Sequence, residues 1–302
     1  MKIFVTGATG YIGGSVAAAL TAAGHQVSGL ARSVEATTAL AKRGISPVRG
    51  TLDDTEVLAN AAHDADVTVN AANADHRAAA VAMLKALANT GKTFLHTDGS
   101  SIVGTRACGE LVETIFDEDT PIMPTPQRAR RVEIDKIVRS AAGGGVRSIV
   151  IAPSLIYGRG HGFNPHSIQV PWLIKTAKKF GVAKYMGSGE NRWANVHIDD
   201  LVALYVLAIE KAPAGAFYFV ENGENSMREV CEAISRMLGQ GGRTQSMSQE
   251  EAAIEWGEGP ANDTMGSNSR VRAKRARAEL KWRPKEPSLI EEIERGCYAQ
   301  VR

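Results

Sequence analysis

The sequence predicts an α/β protein: a doubly wound parallel sheet followed by a smaller α+β C-terminal substrate domain. Three observations predict it. Short β-branched runs alternate with Ala-rich helical stretches through the first half of the chain. Those runs are almost wholly apolar, as strands covered on both faces must be. A glycine-rich turn containing Gly7, Gly10 and Gly13 lies between the first strand and the first helix.

Taken in order, Lys2–Thr6 reads as a strand and residues 11–23 as a helix stopped at Gly24. Strands are expected at 27–31, 45–49, 67–71 and 93–97, with helices at 35–42 and 76–88. A helix at 133–142 leads to a strand at 147–152. After Pro153 the pattern changes. Gly158, Gly160, Gly162, Pro165 and Pro171 mark a loop-rich stretch. Helices are expected at 172–180, 199–211 and 227–238, with a strand at 217–220 and loops at 240–242 and 257–260. The organisation expected is a dinucleotide-binding domain over 1–157, to which 195–221 return, and a substrate domain over 158–194 and 222–302.

Composition narrows the functional classes. The chain has 302 residues, of which 44% are apolar, enough for a substantial core. Thirty-five basic residues nearly cancel thirty-three acidic ones, for a net +2. Neither nucleic acid nor an anionic membrane is therefore expected as a partner. The basic run Arg270, Arg272, Lys274, Arg275 and Arg277 reads as a solvated helix face. Cys108, Cys231 and Cys297 show no metal-ligand or disulfide spacing, which suits a reducing, cytoplasmic setting. No leader and no apolar run of about 20 residues is evident, so no membrane span is expected. No metal site is expected either; His161 and His166 lack an evident third ligand.

The glycine turn carries a specific chemistry. The turn must be tight, the backbone must approach a pyrophosphate closely, and the helix must pack on the strand; the helix N-terminus then stabilises the anion. The cofactor choice follows from the second strand. An acid at its end would accept from a ribose 2′-hydroxyl and select NAD; Ala31 stands there, and Arg32 follows with a permanent planar cation. The expected cofactor is NADP(H), with NAD(H) as the alternative.

The Gly-x-x-Gly-x-x-Gly spacing, together with Asn70 to Ala72, His96 to Gly104, Ala152 to Gly158 and Val196 to Leu201, resembles the extended short-chain dehydrogenase/reductase family and its Rossmann fold. The resemblance places Thr6, Gly7, Gly10, Tyr11, Ile12, Gly13, Arg32 and Leu52 against the cofactor. Ala71, Ala72, Pro153 and Leu155 are placed there too. It places the family's catalytic hydroxyl at Ser100 or Ser101, with Thr97 close by. The family's tyrosine and lysine, four residues apart on one helix, match Val132 and Lys136. Lys136 is thus expected to hold the ribose, while Val132 has no proton to give. Asp98, His161 and His166 are weighed as other proton sources, Asp199 as a helix cap, and His197 as a junction residue.

Three functions remain open at this point. The first is an NADP(H)-dependent oxidoreductase acting on a small, non-nucleotide carbonyl or alcohol through an atypical site. The second is a non-catalytic NADP(H) sensor, and the third a sugar-nucleotide epimerase or dehydratase. The third is disfavoured by Trp193, which stands where nucleotide-sugar members of the family resembled carry an arginine; Arg192 is one residue away. Pro171, Trp172, Tyr185, Met186 and Trp193 form either an apolar pocket or core. By the same resemblance a homodimer is expected through helices near 76–88 and 129–142.

Overall fold

The computed structural model describes residues 1–301. Its strands, in chain order, are β1 (Lys2–Thr6), β2 (Gln26–Ala31), β3 (Ser46–Arg49), β4 (Val67–Asn70), β5 (Thr93–Thr97), β6 (Thr105–Arg106) and β7 (Arg147–Pro153). They continue as β8 (Leu155–Tyr157), β9 (Ala183–Met186), β10 (Arg192–His197), β11 (Ala216–Val220), β12 (Glu224–Ser226), β13 (Thr244–Met247) and β14 (Ser267–Asn268). The helices that matter here are α1 (Tyr11–Ala22), α2 (Val34–Ala41), α3 (Thr55–Asp64), α4 (Arg77–Leu87), α5 (Pro126–Ser140), α6 (Gln169–Phe180), α7 (Ile198–Lys211), α8 (Met227–Met237) and α9 (Gln249–Trp256).

Seven strands form one parallel sheet in the order β11-β7-β5-β4-β1-β2-β3. Strand order reverses between β1 and β4, which opens a crevice at their carboxyl ends. The strands are apolar because both faces are covered. On one face Ile3, Val5, Leu95 and Ile151 pack with α1, α2 and α7. On the other, Phe4, Phe94 and Val150 pack with α3, α4 and α5. Complete burial of a side chain such as Phe94 contributes about 1.5–3 kcal/mol. As expected, α7 and β11 return to this sheet after the chain has left it.

The smaller layer has its own core of Leu155, Tyr157, Leu173, Tyr185, Trp193, Val230 and Ile234. It holds β8, β10 and β12, with β9 and β13 paired beside them. Of the pocket and core readings left open, core holds for Tyr185, Met186 and Trp193, while Trp172 is substantially exposed. The structure corrects two expectations. Residues 258–260 form a short helical turn where a loop was expected. The basic run is an exposed helix face only at Lys274, Arg275 and Arg277; Arg270 and Arg272 precede that helix, and Arg270 is mostly buried. Arg270 and Arg272 pair with Glu224, Lys274 and Arg275 with Asp119, and Arg277 with Glu221. All three cysteines are free, and among the described residues no helix is long and apolar enough to cross a membrane.

Candidate active site

The glycine turn leads directly into α1. Gly7 sits at φ +74°, and a Cβ there would lie 2.7 Å from the Ala71 carbonyl oxygen. A Cβ on Gly13 would lie 2.5 Å from the Gly7 carbonyl oxygen, so strand and helix approach more closely than any side chain allows. Gly10 is the N-cap of α1. No side chain caps the helix and no acid occupies its first turn. The first N–H groups are thus left for an external acceptor, and the helix dipole favours an anionic one. They face a cleft of about 540 Å³ bordered by Gly7, Gly10, Arg32, Leu52, Ala71 and Ala72. A dinucleotide fits such a site, with its phosphates at the uncapped helix end and Arg32 lining the same cleft.

The cleft also takes Thr9, Asp53, Asn73 and His76, which the sequence reading missed; they lie on loops with no local motif. His76 Nε2 and Asp53 Oδ1 are 3.1 Å apart. Tyr11 and Ile12 lie behind the turn. Tyr11 donates its hydroxyl to the Gly158 carbonyl, and Ile12 packs against the core. Thr6 Oγ1 accepts from the backbone N–H groups of Ala71 and Ala72 and donates to Asn70 Oδ1 at 2.8 Å.

From Asn70 a buried polar chain runs across the sheet ends. Asn70 Nδ2 meets His96 Nδ1 at 3.0 Å, and His96 Nε2 faces Asp135 Oδ1 at 3.9 Å. Asp98, just beyond β5, adjoins Asp135. Arg131 Nε stands 3.4 Å from Asp98 Oδ1 and also pairs with Asp75. Both carboxyls are pushed above the usual carboxylate range. Burial is the larger cause for each, and for Asp135 the neighbouring Asp98 charge adds to it. Burial, then Arg131, lowers His96 to about 4, so it is neutral near pH 7.

The structure places the face of α5 one residue from where the sequence put it. Arg131 pairs with Asp75 and Asp98, and Asp135, four residues on, is buried against His96. Val132 is buried and Lys136 exposed; both, with Asp135, border a separate hollow that Glu118, Ile122, Arg139 and Phe217 help to line. The hydroxyls separate as well. Thr97 Oγ1 turns to the Tyr205 hydroxyl at 2.5 Å. Ser100 Oγ bonds Ser269 Oγ at 2.7 Å, and Ser269 donates to the Ser100 carbonyl. Ser269 in turn pairs through its backbone with Arg192 and Ala194 of β10. Ser101 alone of the three approaches the polar cluster, 3.4 Å from Arg131 Nη1. The Pro153 carbonyl oxygen would lie 3.8 Å from a Cβ on Gly99, and Leu155 is core of the smaller layer.

Residues 3–220 match the model of the NAD dependent epimerase/dehydratase family. The chain belongs to that family. An oxidase, ucsJ, from Acremonium is 34% identical over 97% of this chain and 95% of its own. A 4-hydroxy-2-methyl-3-oxo-4-farnesyl-3,4-dihydroquinoline-1-oxide ketoreductase from Stigmatella aurantiaca is 27% identical over 74% of this chain and 69% of its own. Among solved structures, UDP-glucose 4-epimerase of Thermotoga maritima superposes with a TM-score of 0.77 at 18% identity, covering 97% of this chain and 96% of that one. The dTDP-glucose 4,6-dehydratase of Bacillus anthracis, solved with NAD, gives 0.76 at 20% identity over 98% and 94%. These two likenesses establish the Rossmann-type fold.

Tyr157, His161, His197 and Asp199 make contacts within the fold. Tyr157 is fully buried and donates to the Pro287 carbonyl. His197, not Asp199, caps α7: its Nδ1 accepts from the Asp199 N–H. His161 Nε2 contacts Asp199 Oδ1 at 2.7 Å while its backbone N–H reaches Ser15 Oγ, seating the 158–165 loop on α1 and α7. His197, Asp199 and Glu286 bring ligand atoms within 4.8 Å of one another, but His197 Nδ1 is taken by the cap. Arg192 Nη2 is 3.4 Å from Glu229 Oε1.

Proposed function

We propose that this chain is an NADP(H)-dependent oxidoreductase acting on a small, non-nucleotide carbonyl or alcohol. One observation carries the reading: the uncapped N-terminus of α1 opens on a cleft that Arg32 also lines, with no carboxylate at the end of β2. In this reading the backbone of Gly7, Gly10 and Gly13 receives the pyrophosphate and Arg32 the 2′-phosphate. Leu52, Ala71 and Ala72 line the body of the cofactor. When bound, a nicotinamide supplies hydride exchange with a carbon centre. The names of relatives support the class: besides the ketoreductase, a 2-alkyl-3-oxoalkanoate reductase is 27% identical over 79% of this chain. The burial of Trp193 and the pairing of Arg192 with Glu229 argue against a diphosphate substrate.

Calorimetry with NADPH, NADP⁺, NADH and NAD⁺, followed by a panel of aldehydes, ketones and enones, tests the proposal. Tighter binding of the phosphorylated cofactors and turnover of at least one carbonyl are expected. Equal affinity for NADH and NADPH overturns the cofactor assignment. A second reading, a non-catalytic sensor of the NADP(H) pool, is favoured by the absence of any tyrosine on the described face of α5. It requires the two redox forms to bind with different affinities and no carbonyl to be reduced.

A further inference from the structure

The start of α7 gathers three metal-ligand side chains from two distant parts of the chain. His197, Asp199 and Glu286 each bring one ligand atom within 4.8 Å of the other two. His197 is 6% exposed, and its Nδ1 lies 3.8 Å from Asp199 Oδ2. The two carboxylates are positioned by neighbours. The backbone N–H groups of Lys285 and Glu286 donate to the two carboxylate oxygens of Asp200, at 2.8 and 3.2 Å, which pins the segment of Glu286 beside α7. His161 Nε2 contacts Asp199 Oδ1, leaving Oδ2 on the side of His197.

Asp199 and Glu286 converge without a cation between them. Among the described residues neither forms an ion pair with a lysine or arginine, and the Glu286 side chain makes no hydrogen bond. Two like charges so placed repel, and a divalent cation between them replaces repulsion with attraction.

We propose that His197 Nδ1, Asp199 Oδ2 and a carboxylate oxygen of Glu286 bind a divalent transition-metal ion, with zinc the preferred one. An imidazole with two carboxylates is a set that zinc accepts, and water completes four-coordination on the partly exposed side of the acids. Bonds of about 2.0–2.2 Å in a tetrahedron set ligand atoms about 3.4 Å apart. The 3.8 Å between Nδ1 and Oδ2 therefore needs only a small contraction. Nδ1 also accepts the Asp199 N–H at 3.2 Å as the cap of α7. That bond yields to the ion, because one capping bond is small beside three ligand bonds to a divalent cation. His161 is the outer partner that orients the Asp199 carboxylate.

So placed, the ion clamps the segment of Glu286 and the loop of His161 onto the start of α7. That loop receives the Tyr11 hydroxyl of α1 through the Gly158 carbonyl, so the clamp braces the helix that follows the glycine turn. The site stands whether or not the cofactor assignment above holds.

The test uses the full chain, freed of metal with EDTA and titrated at neutral pH with Zn²⁺ against a chromophoric chelator. One Zn²⁺ per chain is expected, with a higher melting temperature. Glu286→Gln is expected to weaken binding about 10²-fold with its circular dichroism unchanged. Co²⁺ in place of Zn²⁺ is expected to give d–d bands without thiolate charge-transfer absorption, because no cysteine belongs to the site. A folded wild type that takes up no Zn²⁺ overturns the proposal, whether or not Glu286→Gln folds. So does a folded Glu286→Gln whose Zn²⁺ affinity stays within about threefold of wild type, and so does a Co²⁺ spectrum with thiolate charge transfer.

Discussion

The side-chain amide of Asn70 donates to Nδ1 of His96 across 3.0 Å. Its own carbonyl is held by the Thr6 hydroxyl, which fixes the amide's orientation. Nδ1 is therefore an acceptor, and neutral His96 carries its hydrogen on Nε2, the atom facing Asp135. One hydroxyl at the end of β1 thus sets the tautomer of an imidazole two strands away.

Thr6→Val tests this arrangement. The valine fits the site but deprives Asn70 of its donor and the Ala71 and Ala72 amides of their acceptor. An unmet buried polar group costs about 1–3 kcal/mol, so a loss of that order is expected in urea unfolding. A change below about 0.5 kcal/mol contradicts the assigned network.

Stability should depend on pH in two opposed ways. His96, lowered to about 4 in the fold, takes up its proton more readily when unfolded, so its contribution is lost as pH falls below about 6.5. The raised carboxyls do the reverse: they are protonated more readily in the fold, and stability is lost as pH rises. Between about pH 7 and 9 only the carboxyl effect of the two remains. Thermal melts of Asp135→Asn should flatten that limb relative to wild type; parallel curves would remove Asp135 as its cause.

Arg32→Ala should weaken NADPH by about tenfold or more, the scale of a lost charge-assisted contact, and leave NADH nearly unchanged. Equal weakening of both cofactors would mean that Arg32 supports the cleft rather than a phosphate.

Lys136→Ala should leave kcat within about twofold, because the side chain lies outside the crevice. A drop of about 10²-fold would place the lysine back at the site.

Gly13→Ala brings a Cβ to 2.5 Å from the Gly7 carbonyl, a backbone atom that cannot step aside. The protein should lose calorimetric binding of NADPH, with a lower melting temperature. Retained binding at wild-type affinity would show that the turn is looser than described.

The parts of this fold that were legible in the sequence are those specified locally. β1, the glycine turn and β5 show in apolar runs and punctuation, and Thr93–Thr97 matches its expected bounds. The helix α3 escaped notice because only Leu58 and Ala62 are buried in it, too few anchors for a clear period. The strands β8, β9, β10, β12 and β13 are short and paired with partners far along the chain, so no local window reports them. The helix α5 begins at Pro126, two turns earlier than expected, with proline at its start. Its phase was the costlier miss. Two i,i+4 pairs, one residue apart, satisfy the same spacing, and a buried Asp135 looks in sequence like a solvated one.

Ser269 ties two regions that a crevice between layers is often assumed to let swing. Its backbone belongs with β10, while its hydroxyl grips both the side chain and the carbonyl of Ser100. Opening the crevice by rotating one layer would tear Ser100 from that grip and drag along the strand end bearing Asp98. Any rotation of one layer against the other must therefore break both bonds or carry the two serines together.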